Sequence, residues 1–234
     1  MIEIKCLASG SSGNAYYVDG ESPLLLECGI PWKQIQQGLN FQTSSLVGCL
    51  VSHSHGDHAK SVKDVTKAGI DCYMSPETAE AIGISSHRIK TVRALEQFKV
   101  GTWTILPFDV VHDTPGSLGF LMASKSGGKV LYLTDTAYCR YRFSGLTHIL
   151  IEANYSLDIL RENVTNGTVP VELKNRLLRT HFSLENVKGF LRANDLSKVR
   201  EIHLLHLSDG NSDAARFKRE IQQLTGKPVY IAGE

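Results

Sequence analysis

No stretch of this chain approaches the length of an apolar membrane span, and it does not open on a cationic segment followed by an apolar one. Those absences set aside a membrane partner and a secretory leader, and the expected setting is cytoplasmic. A dominant charge is missing too: 25 Lys and Arg face 24 Asp and Glu, for a net charge of +1. That balance does not advertise nucleic acid, although a local basic patch would be enough to bind it. Cysteine is sparse. Cys6, Cys28, Cys49, Cys72 and Cys139 stand far apart with no C-x-x-C pair. Several fall in apolar runs, so they read as small buried thiols in a reducing compartment. There is no tandem repeat, low-complexity tract or Pro/Ser-rich linker. With 234 residues, 42% of them hydrophobic, the chain has ample length for a sizeable core. Its pattern of strands and helices suits one layered α/β domain over residues 1–234, with helices covering packed sheets. Oligomeric state leaves no mark on the sequence.

What is present in abundance is histidine and carboxylate at one place. His53-Ser54-His55-Gly56-Asp57-His58 follows the apolar strand-like run Leu46–Val51 and precedes Ala59–Gly69, whose Val62, Val65 and Ala68 recur at helical spacing. Three imidazoles and a carboxylate in six residues form a dense set of metal ligands. By chance, such a pattern is expected on the order of once in a thousand chains of this composition. In extended backbone His53 and His55 point to one side, and the turn at Gly56 lets Asp57 and His58 face the same space. Four such ligands exceed what one open tetrahedral zinc uses, so the cluster suggests two metals completed from elsewhere.

The remaining donors are sought at strand ends. His112 follows two valines and precedes the turn Asp113-Thr114-Pro115-Gly116. Asp135 ends the strand Lys129–Leu133 and can bridge two cations or cap a helix. In the strand Val199–Leu207, alternation places His203 and His206 on opposite faces, so His206, nearer the strand's end, is the candidate. His87, His148 and His203 read as surface or core histidines. The loop Ala8–Asn14, rich in Ser and Gly, is either a simple turn or a cradle for phosphate.

These residues together resemble the metallo-β-lactamase superfamily: HSHGDH after an apolar strand, then His112, Asp135 after "VLYLT" and His206 in "LLHLS". The resemblance spans residues 1 to about 210. It implies an αββα four-layer sandwich in which one metal takes His53, His55 and His112, a second takes Asp57, His58 and His206, and Asp135 bridges them. "ASGSSGNAYYV", "EANYSLDILR", "THFSLENVKGF" and "LLHLSDGNSD" narrow the resemblance to the single-domain YycJ-type bacterial DNA exonucleases. Glu152 with His181 is similar to the acid/base pair of RNase Z, in which the histidine protonates the leaving oxygen.

Departures from the pattern are Glu27, where the superfamily usually has Asp, and Tyr155, where the YycJ type more often has His. Between Asp135 and His206 there is no room for the large insertion of the β-CASP nucleases.

The implied activity is phosphodiester hydrolysis with two divalent cations, Zn²⁺ or Mn²⁺, sharing an attacking hydroxide, with Asp57, Glu152 and His181 as catalytic residues. The expected substrate is nucleic acid, DNA before RNA, cut from 5′ to 3′. The alternatives are an RNA-processing nuclease and a phosphodiesterase for cyclic or small nucleotide-like esters. Arg140 and Arg142, with Lys174, Arg176 and Arg179, can grip a nucleic-acid backbone or serve as solvated helix charge.

Overall fold

A computed structural model describes residues 2–233. Met1 and Glu234, the ends of the expected domain, lie outside the described residues. The chain is mixed α/β and divides into two compact units. The first runs to Asp109 and takes in Thr114–Gly128, while the second holds Val110–Asp113 and Lys129–Ala232.

The first unit contains the strands β1 (Glu3–Ala8), β2 (Ala15–Asp19), β3 (Leu24–Leu26), β4 (Gly48–Leu50), β5 (Cys72–Met74) and β6 (Ile89–Thr91), which form a six-stranded sheet in that order. The first three are antiparallel neighbours, and β3 to β6 run parallel. Parallel strands need crossovers, here supplied by the helices α1 (Trp32–Gly38), α2 (Gly56–Ala59), α3 (Val62–Lys67) and α4 (Pro76–Ile82). Val62 and Val65 of α3 join Ile35 of α1 in one core with Leu25, Cys49, Val51 and Met74. Helix α4 is bounded by its own sequence. Ser75 Oγ accepts from the Thr78 amide at 3.0 Å, Pro76 takes the first turn, and Gly83 closes the helix at φ 67°. The antiparallel strands β7 (Phe98–Val100), β8 (Trp103–Asp109) and β9 (Leu118–Ser124) complete this unit.

The second unit is built on four parallel strands, β10 (Lys129–Leu133), β11 (His148–Glu152), β12 (Glu201–Leu205) and β13 (Val229–Ile231). All five residues of β11 are buried, the mark of an inner parallel strand covered on both faces. Between strands run α5 (Leu157–Thr165), α6 (Val171–Thr180), α7 (Leu184–Ala193) and α8 (Ala214–Thr225). Helix α7 buries Leu184, Val187 and Leu191, and α8 buries Phe217 and Ile221, each a one-sided helical stripe.

Several sequence expectations shift at their edges. The strand expected over 199–207 ends at Leu205, because His206 turns into the left-handed region at φ 52°. The single helix expected over 59–69 is two short ones. The first of them begins at Gly56, so Asp57 and His58 sit in a helical turn rather than in open loop. All five cysteines are free thiols, and burial pushes Cys6 and Cys139 up to about 11. Among the described residues no helix is long and apolar enough to cross a membrane.

Candidate metal centre

In the first unit, β4 delivers the chain to Ser52 and then to the histidine cluster. His53 Nε2 lies 3.1 Å from His55 Nδ1, so alternation does place both rings on one side. Ser52 Oγ holds the other nitrogen of His53, at 2.8 Å from Nδ1. The His58 ring packs 4.1 Å from that of His53, and its Nε2 is 3.4 Å from Asp57 Oδ2. The four side chains of the hexapeptide therefore converge.

Two further residues hold them in place, and sequence spacing gave no sign of the first. Asn14, fully buried, takes the Asp57 carbonyl on its backbone amide at 2.7 Å and reaches His58 Nε2 at 3.1 Å with its side chain. The same side chain closes the Ser/Gly loop. Its Oδ1 accepts from the Gly10 amide, while the Gly13 amide donates to the Gly10 carbonyl. Those two amides are satisfied internally, so this part of the loop is a turn built around Asn14.

Glu27 is the second. It is fully buried with φ 61°, its carboxylate accepts from the Ser52 amide at 3.1 Å, and Oε2 lies 3.7 Å from His58 Nδ1. The longer side chain thus still reaches a position beside His58, a candidate ligand. Gly29 is obligatory for the same packing, since a Cβ there would fall 1.7 Å from the Asp57 carbonyl oxygen.

In the second unit the candidates gather beyond the carboxyl ends of β10, β11 and β12, the usual place for ligands in parallel sheets. One donor atom each from Asp135, Glu152, His181 and His206 lies within 4.8 Å of the others. His206 Nδ1 is 2.8 Å from Asp135 Oδ1, and His112 Nε2 is 3.8 Å from Asp135 Oδ2. His112 Nδ1 faces the Thr180 carbonyl at 2.9 Å, an acceptor only, so Nδ1 carries a hydrogen, while Nε2 lies 3.2 Å from Asp113 Oδ1. Asp135 and His206 are both non-glycine residues with positive φ, 39° and 52°. Such backbone persists where the surroundings over-determine it, and it clusters at functional sites. Asp135 caps no helix; it leads into irregular chain, which removes the cap reading.

Glu152, the last residue of β11, is fully buried. Its Oε2 accepts from the Thr136 and Phe182 amides, each at 3.0 Å, and its Oε1 sits 2.6 Å from His181 Nδ1. With both oxygens engaged, Glu152 orients His181 and is poorly placed to ligate. Burial of His181 disfavours its charged form, but the Glu152 charge and hydrogen bond, with Asp135 behind, outweigh this and raise it to about 9. The proton is then on hand at Nε2, away from Glu152. His181 follows α6, while Ser183 caps α7 by accepting from the Asn186 amide at 3.1 Å. The helix-start alternative for His181 thus falls to Ser183.

The excluded histidines stay apart from this group. His203 stacks on Tyr230 and meets Glu201, and His148 bonds Thr147. Tyr155 is core, packed with Leu160, Val169 and Leu177, its hydroxyl pushed up to about 12 by burial. Arg176 is tied to Asp113 at 3.1 Å, which weakens its claim on a phosphate.

Imidazoles in neighbouring pairs and carboxylates at strand ends, most of them buried, form a donor set that suits divalent cations of borderline hardness. Comparison with known proteins points the same way. A family described as "Beta-lactamase superfamily domain" matches residues 25–185. The chain is 32% identical over 226 residues to an exodeoxyribonuclease WalJ of Streptococcus pneumoniae serotype 2, covering 88% of this chain and 81% of that protein. It is 25% identical over 252 residues to an exodeoxyribonuclease YycJ of Bacillus anthracis, covering all of this chain and 92% of that one. Among solved structures, the metallo-β-lactamase fold protein YhfI of Bacillus subtilis superposes with a TM-score of 0.73 at 13% identity, over 99% of this chain and 97% of its own.

Proposed function

The chain belongs to the β-lactamase superfamily, and on that premise we propose that it is a metal-dependent phosphodiesterase of the nuclease kind, a DNA exonuclease working from the 5′ end. The observation that carries this reading is the Glu152–His181 pair, 2.6 Å apart and set beside Asp135. A carboxylate-oriented imidazolium is the group an alkoxide leaving from phosphorus requires. The names of the exodeoxyribonuclease relatives support DNA as the polymer.

In this reading the two units are halves of one hydrolase domain. His53, His55 and His112 would hold one cation, Asp57, His58 and His206 a second, and Asp135 would serve both. Two divalent cations bound there would supply Lewis acidity to the phosphoryl oxygens and lower the pKa of bound water toward neutrality. The chain's own residues do the rest. Ser52 and Thr180 hold the Nδ1 atoms of His53 and His112, and the Glu27 carboxylate faces His58 Nδ1. Glu152, itself locked by two backbone amides, aims His181 and stabilises its proton. His181 Nε2 then hands that proton to the departing oxygen, so the cleaved strand leaves as an alcohol. Five free cysteines suit a reducing cytoplasm.

A gel assay of 5′- and 3′-labelled single- and double-stranded DNA and RNA with Mn²⁺ or Zn²⁺ tests the reading, with bis-p-nitrophenyl phosphate and cyclic nucleotides alongside. Stepwise loss of a 5′ label from DNA is expected. Hydrolysis of the small esters with every polymer intact would refute it.

A further inference from the structure

Within the second unit, the segment that leaves Asp135 and the start of α7 enclose a cavity of about 180 Å³. A cavity of about 150 Å³ admits one benzene ring, and drug-sized ligands need roughly 300 Å³ or more, so this space suits one planar ring system. Its wall is aromatic and charged: Tyr138, Phe182, Arg140 and Arg142, with Glu185 and Asn186 contributed by α7. Tyr138 is 60% exposed, a large aromatic face turned to solvent. Arg140 lies flat over Tyr141, 5.1 Å from its centroid, and bonds the phenol oxygen at 2.9 Å, so its guanidinium is held in place. Asn186 Nδ2 donates to the Ala137 carbonyl at 3.1 Å, leaving its Oδ1 as an acceptor for a base edge.

Two further features tie the cavity to the reacting centre. Glu152 Oε2 accepts from the amides of both Thr136 and Phe182, so the carboxylate that orients His181 also anchors both walls. Phe182 is the next residue after His181, and Tyr138 is three after Asp135. The second feature is Gly189, in the middle of α7. It has no left-handed φ, and an added Cβ would meet nothing within 4 Å. A helix-interior glycine costs about 0.5–1 kcal/mol relative to alanine. At this exposed position the glycine leaves the cavity side of α7 clear, so a bulky substitution there probes the space.

We propose that this cavity is a nucleobase pocket, which takes one base of a single DNA strand flanking the phosphodiester at Asp135 and His181. The inference rests on the nuclease reading above. Tyr138 offers its face to the base, Arg140 and Arg142 meet the adjoining phosphates, and Asn186 Oδ1 accepts from an N–H on the base edge, which every base carries. Because every base has a π-face, such a pocket tolerates all four.

The test uses metal-loaded protein and a short phosphorothioate-linked DNA strand carrying the fluorescent base 2-aminopurine. Quenching on binding is expected for the natural chain, and a strand abasic at that position should bind more weakly. Tyr138→Ala and Gly189→Trp, which removes the face and fills the space respectively, should each weaken binding about 5- to 100-fold. Tyr138 is exposed, so its variant decides the matter even if Gly189→Trp fails to fold. Equal affinity and equal quenching in wild type and Tyr138→Ala would overturn the pocket, as would equal binding of the abasic strand. A 2-aminopurine mononucleotide binding as tightly as the strand would overturn the strand assignment in favour of a free-nucleotide site. Quenching without cleavage of natural DNA by Mn²⁺-loaded protein would sink the nuclease reading and keep the pocket. Cleavage with unaltered variants would do the reverse.

Discussion

Glu152 and His181 divide one task, and each fails differently when replaced. Without its imidazole, the His181→Ala chain should keep its metal content while turnover on DNA falls about 10²- to 10⁴-fold, the usual worth of a positioned general acid. Metal analysis beside kinetics checks this, and lost metal would make His181 a ligand instead. Glu152→Gln keeps the amide contacts but not the charge, so it should slow turnover by the same route. Glu27 acts one step further from the chemistry. Glu27→Ala leaves the Ser52 amide without its acceptor, at about 1–3 kcal/mol, and removes the carboxylate that faces His58 Nδ1. Metal affinity should fall about 10- to 100-fold, measured by competition with a chelating dye. Unchanged affinity would show that Glu27 serves stability alone. The gathering of the hexapeptide side chains, and that of Asp135 with His112 and His206, was legible because strand-end position and residue type together mark donor groups. Asn14 was not, because its role depends on a long-range contact to His58 that no local pattern records.

At the level of elements, the design repeats. Each unit ends parallel strands at residues that hold a donor, and the turn after the strand sets the donor's aim. The elements themselves were readable from apolar runs and helix caps, as at Ser75-Pro76 and at β11. Their ends were not, because left-handed backbone at Asp135 and His206 is imposed by surroundings that the local sequence does not contain. Packing between the loop after β3 and the helix α2 is equally tight. Gly29→Ala places a methyl carbon inside contact distance of the Asp57 backbone, which cannot yield as a side-chain tip would. The expected loss of stability is at or above the roughly 3 kcal/mol upper end for overpacking, with metal binding lost as well. Denaturant unfolding checks it, and a variant as stable as the parent would mean that α2 is free to move.

For the whole molecule, the family resemblance visible in the sequence gave the fold class, and solved structures of that fold match along nearly the full chain. Composition alone could not have done so, since a near-neutral chain with few cysteines describes most globular proteins. The basic residues following Asp135 were equally silent until their neighbours were known. Arg140 gained meaning only beside Tyr141 and the open face of α7. What joins these levels is the proposal that the seven donors act as a dinuclear centre for cutting DNA. It is tested most directly by titrating Mn²⁺ into metal-free protein while following release of the 5′ label from a DNA strand. Activity should rise from none and level off at two equivalents per chain. Levelling at one equivalent, or cleavage in the absence of metal, would contradict the account.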